Sequence, residues 1–132
     1  MENTTVAPAN SRAKFWAGWV LSVLPSLLLL FSGVLKFMPS SPEAEEGLKH
    51  VGWRAEQIPT IGVLEIACVI VFLIPQTAVL GAILVTGYMG GAIATHVRVG
   101  DPFYVQALIP IVLWLGLWLR EPRLRQLLPI RS

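Results

Sequence analysis

The sequence has a single cysteine, Cys68, in 132 residues. One thiol can neither close an intrachain disulfide nor form a C-x-x-C redox pair. A four-helix membrane thiol oxidase needs such cysteines, so that chemistry is excluded. Charge is scarce as well: only 14% of the residues are Asp, Glu, Lys or Arg, against about 25% in a soluble domain. The net charge of +2 and a pI near 9.0 come without a basic cluster set among aromatics, which argues against nucleic acid as a partner. C-x-x-C-H, paired helix histidines for haem and a glycine-rich phosphate loop are all missing, so no covalently bound cofactor is expected. A metal site built from Glu65, His96 and Cys68 has no supporting H-x3-H or C-x2-C spacing.

What the chain does have is apolar sequence in long blocks. Hydrophobic residues make up 55% and the mean hydropathy is +0.66. Four blocks stand out: Phe15 to Leu35, Ile58 to Pro75, Ala78 to Thr95 and Phe103 to Leu119. A membrane-spanning helix needs about 17 to 25 residues, and each block meets that. The first block is too long for the apolar region of a signal peptide, and no A-x-A site follows it. The expected fold is all-α: an antiparallel, integral membrane four-helix bundle with helices over about 15–37, 58–75, 78–97 and 103–120. Residues 1–14 are expected to be a disordered cytoplasmic tail and 121–132 a basic C-terminal tail. Pro25 and Pro110 fall inside blocks, where a bundle can satisfy the freed carbonyls.

The connections carry their own signals. Only Pro75, Gln76 and Thr77 separate the second and third blocks, which reads as a tight antiparallel hairpin. In "SPEAEEGLKHVGW", Ser41 suits an N-cap and Pro42 the first helical position, with Glu43, Glu45 and Glu46 at the positive end. A short interfacial helix is expected there. Counting Lys and Arg with the termini inside puts Arg12, Lys14, Arg120, Arg123, Arg125 and Arg131 on one side, and Lys36, Lys49, Arg54 and Arg98 on the other. Six against four favours cytoplasmic termini.

Four antiparallel helices bring Lys36, Glu65, His96, Arg98 and Gln106 to the same half of the bundle, by chain order alone. An ionisable group within a bilayer costs at least ~2.5 kcal/mol, so it usually faces the bundle and has a partner. Glu65 is the deepest, and Lys36 and Arg98 are its expected partners. Ser32 adds a hydroxyl one turn before Lys36. Gly87, Gly91, Ala94, Thr95 and Arg98 share a helix face, and the Gly87–Gly91 pair predicts close helix packing. Every member also has a purely structural reading: Glu65 as a register-fixing ion pair, Lys36 and Arg98 as interfacial anchors, His96 and Gln106 as helix–helix hydrogen bonds.

Several stretches resemble the DoxX-like branch of the DoxX membrane proteins. They are G-x-x-K at Gly33 and Lys36, G-x-L-E at Gly62, Leu64 and Glu65, the "IPQTAVLGA" hairpin and "GGAIATHVRVGDP". The resemblance runs from about Trp19 to Pro129. It implies a small, four-helical, bacterial-type inner-membrane protein. The founding members are associated with a thiosulfate:quinone oxidoreductase, relatives with redox-stress complexes, and distant relatives with membrane-protein assembly. No catalytic residue carries over. The leading expectation is an accessory or ligand-binding subunit in membrane redox metabolism, with a polar pocket, quinone as its possible ligand and a membrane or periplasmic redox protein as its partner. The alternatives are an assembly factor with purely structural charges and a small homo-oligomeric transporter. Enzyme activity by this chain alone is not expected.

Overall fold

The computed structural model describes residues 9–39 and 41–131. Four long helices dominate: α1 (Ala9–Leu35), α3 (Ile58–Leu73), α4 (Ala78–Arg98) and α5 (Tyr104–Arg120). Two shorter ones, α2 (Pro42–Val51) and α6 (Pro122–Arg125), follow α1 and α5. Single 3-10 turns at Ala55–Gln57 and Pro75–Thr77 lead into α3 and α4. Among the described residues there is no strand. α1 packs on α3 and α5, and α4 packs on the same two helices. The result is a closed ring in the order α1, α3, α4, α5, with every helix antiparallel to both neighbours.

α4, with 21 residues, is about 31 Å long, and α5, with 17, about 25 Å. The hydrocarbon core of a bilayer is about 30 Å thick. The outer faces suit lipid: Trp16 is 65% exposed, Phe31 64% and Ile111 61%, among many similar side chains. A water-soluble monomer does not carry such continuous apolar area. The core is a column of Leu29, Val69, Phe72, Ala82, Val85, Leu113 and Leu117. Lipid tails are as apolar as this core, so association rests on close packing and polar contacts.

Close packing is supplied by glycines at two crossings near the end that holds both termini. A Cβ on Gly81 would lie 2.2 Å from the backbone of Phe72, and one on Gly18 would lie 2.6 Å from the carbonyl oxygen of Gly116. Gly87 and Gly91 do not do this, contrary to the packing role their spacing suggested. Both are exposed, and no atom lies within 4 Å of where their Cβ would stand. The GxxxG pattern marks where a backbone is bare, not which way it faces. In α4 the row toward α3 is Gly81, Tyr88 and Thr95, at seven-residue spacing; Gly87 and Gly91 flank it on the outside.

The N-terminal expectation also needs correction. α1 already begins at Ala9, so residues 9–14 are helix, while residues 1–8 lie outside the described part. Ala9, Arg12, Ala13 and Lys14 are good helix formers, and extending an existing helix avoids the cost of nucleation. The interfacial helix is present as expected. Ser41 Oγ accepts from Ala44 N at 3.2 Å, Pro42 starts α2, and Gly52 ends it at φ 89°.

Candidate functional site

The half of the bundle away from the termini holds a cavity of about 610 Å³, roofed by α2. Each long helix contributes a wall, and Leu48, Val51 and Trp53 close the top. Most of the lining is aliphatic. Lys36, Glu65, His96 and Gln106, all singled out in the sequence, line it together with Ser32 and Tyr88.

The deepest group is Glu65, 2% exposed. Lys36 Nζ stands 2.9 Å from its Oε1. The same ammonium donates to Ser32 Oγ at 2.9 Å, and Ser32 Oγ donates to Glu65 Oε1 at 3.4 Å. Two glycines make room for this triad. A Cβ on Gly33 would meet Ile66 Cγ1 at 2.6 Å, and one on Gly62 would meet Lys36 Cβ at 3.0 Å. The G-x-x-K and G-x-L-E segments therefore form one seam between α1 and α3. The phenol of Tyr88 is close enough to Glu65 to interact with it. Ser32 and Lys36 both donate to Oε1, while the Tyr88 phenol stands on the same carboxylate.

A second polar pair sits between α4 and α5. His96 Nδ1 is 2.7 Å from the carbonyl oxygen of Ala92. A carbonyl only accepts, so Nδ1 carries the hydrogen, and the neutral ring offers Nε2 as an acceptor. Gln106 Nε2 lies 3.5 Å from that atom, where it can donate.

Arg98 departs from expectation. It neither lines the cavity nor pairs with Glu65. It is exposed and its guanidinium donates to the carbonyl of Val51, at the end of α2. Like Gly87 and Gly91, Arg98 stands on the side of α4 away from the buried Ala82, Val85 and Met89, and its long side chain reaches the end of α2 rather than the cavity. It ties the roof to α4 instead. His50 Nε2, 3.0 Å from both carboxylate oxygens of Asp101, makes a second tie.

Tyr88 and the His50–Asp101 tie were not anticipated from the sequence. Tyr88 was legible in principle, one heptad from both Gly81 and Thr95. The tie was not, because the position of a loop helix leaves no periodic signal. A third unforeseen feature lies at the opposite end, where Arg120 Nε donates to Ser22 Oγ at 3.0 Å. Its guanidinium stacks on Trp19 at 4.0 Å from the ring centroid. Among the described residues no cluster of three or more His, Cys, Asp or Glu could hold a metal ion.

An all-helical bundle with lipid-facing outer surfaces and an ion pair between its helices, with Glu65 buried, defines a helical integral membrane protein. Residues 20–119 match the DoxX-like family, and the chain belongs to it. No curated protein and no solved structure shows a significant match.

Proposed function

We propose that this chain holds the polar head of a small, lipid-soluble molecule in the cavity beneath α2, as an accessory subunit of membrane redox metabolism. The observation that carries the reading is the Lys36–Glu65 pair, at 2.9 Å, facing a mostly apolar space of about 610 Å³. That volume lies within the range of about 300–1,000 Å³ typical of small-molecule sites, where a few convergent polar groups fix orientation. The quinone class fits the donors and acceptors. Lys36 and Gln106 donate to quinone carbonyls; the Glu65 carboxylate, and His96 Nε2 once it exchanges its 3.5 Å contact with Gln106, accept from hydroquinone hydroxyls. The proposed setting is a bacterial-type inner membrane with both termini in the cytoplasm, on the Lys and Arg asymmetry, beside a membrane or periplasmic redox partner.

The test is equilibrium binding of a short-tailed benzoquinone to protein purified into lipid nanodiscs. A hydrogen bond to a charged group is worth about 1.5–3 kcal/mol, so Glu65→Gln and Lys36→Met should each weaken binding by about 10- to 100-fold. Equal binding by wild type and both variants would exclude the site.

A second reading is favoured by one observation: Lys36, Ser32 and Glu65 already satisfy one another. In an assembly factor the pair would only fix the α1–α3 register. The same variants would then lose stability while the wild type bound no quinone.

A further inference from the structure

We infer that the cavity is filled sideways from the bilayer, through a gap between α3 and α4 left by Gly87 and Gly91, and that its occupant is an amphiphile whose tail stays in that gap. The inference rests on the reading above only for the identity of the head group.

Four observations converge. Gly87 and Gly91 line the cavity, are exposed on the side of α4 away from the buried Ala82, Val85 and Met89, and have nothing within 4 Å of their missing Cβ positions. They are therefore open to the cavity and to the lipid at once. Across the gap on α3, Leu64 also lines the cavity while remaining 55% exposed. The same two helices meet backbone to backbone at their hairpin end, where a Cβ on Gly81 would lie 2.2 Å from the Phe72 backbone, so the gap is local. Finally, α2 lies over the end of the cavity away from the termini, held by Arg98 on the Val51 carbonyl and by His50 on Asp101 at 3.0 Å, which narrows the way in from water.

Depth points the same way. Gly87 lies nine residues into the 21-residue α4, about 13 Å from the hairpin, which is mid-membrane. An opening at hydrocarbon depth admits molecules that partition into lipid and excludes ions and sugars. Inside it, Glu65 is 2% exposed and lines the cavity beside Lys36, His96 and Gln106, so the buried end of the route is polar and its outer end apolar. That polarity gradient is that of a single-headed amphiphile.

The route can be tested without knowing the ligand. Cys68→Ala combined with Ala92→Cys places one thiol on the cavity wall. In proteoliposomes this thiol is labelled with a lipid-soluble maleimide or with a membrane-impermeant one. Leu at both Gly87 and Gly91 should slow the lipid-soluble reaction by about tenfold, with Ala at both positions as the control that leaves the gap open. The impermeant reagent should react slowly throughout. Helix content and gel-filtration profile verify that each variant folds. Equal labelling rates with and without the leucines would overturn the route. So would fast labelling by the impermeant reagent, or slowing by Leu28→Trp and Val105→Trp, on the α1–α5 side, in place of the leucines. Quinone binding is measured on the same proteins as a separate arm. If it fails while the labelling pattern holds, the quinone reading falls and the lateral route stands.

Discussion

Removing Lys36 should harm this protein more than removing Lys36 and Glu65 together. The ammonium stands 2.9 Å from a carboxylate that is 2% exposed. At an effective dielectric of about 20, the gross attraction is about 6 kcal/mol. The desolvation of both groups offsets much of that gain, so the pair adds little net stability. Breaking it is different. Lys36→Met leaves Glu65 buried with no cation beside it, only the 3.4 Å contact from Ser32 and the Tyr88 phenol, and an uncompensated buried charge costs about 3–5 kcal/mol. Glu65→Leu leaves the ammonium with Ser32 and, at 22% exposure, a path toward water, so its cost should be smaller. The double variant Lys36→Met/Glu65→Leu substitutes apolar groups of similar volume, and such replacements range from neutral to stabilising by about 1–4 kcal/mol. A double-mutant cycle on reversible unfolding in mixed micelles should therefore give a coupling of at least about 3 kcal/mol. Additive effects, with the double variant as unstable as the sum of the singles, would refute the claim that these groups form one buried unit.

Other outcomes follow from the same geometry. Gly81→Ala drives a methyl into the Phe72 backbone and should destabilise by about 3 kcal/mol. Gly87→Ala meets nothing and should be neutral or gain up to about 1 kcal/mol in helix propensity; a large loss would show that this face packs on a second copy. Asp101→Asn removes the charge opposite His50 and should speed hydrogen exchange of α2 amides without changing that of α3 or α5. Arg120→Met should leave the cavity unchanged and, by removing the Ser22 and Trp19 contacts, cost about 1–2 kcal/mol in thermal or chemical unfolding.

The four long helices were readable because apolar length and breaker residues act locally. Pro75 ends one block and Thr77 precedes the next; Ser41 and Pro42 announce α2. The meeting of Lys36, Glu65, His96 and Gln106 was also readable, since antiparallel connection fixes which helix ends coincide. Rotation about each helix axis was harder. In water an amphipathic stripe reveals the buried face, but here the lipid-facing residues are as apolar as the core: Leu27 is exposed and Leu29 buried. With no such contrast, the bare backbone of Gly87 and Gly91 read as a packing surface, and Arg98 was carried inward with it. The glycines that do pack, Gly18, Gly33, Gly62, Gly81 and Gly116, stand in no GxxxG pair with one another, because each meets its partner on a different helix.

The most direct test of the central claim is native mass spectrometry of the protein purified gently from its own membrane, wild type beside the folded Lys36→Met/Glu65→Leu double variant. The account predicts a small lipid-soluble molecule retained on the wild type and absent from the double variant. The same adducts on both, or none on either, would contradict it.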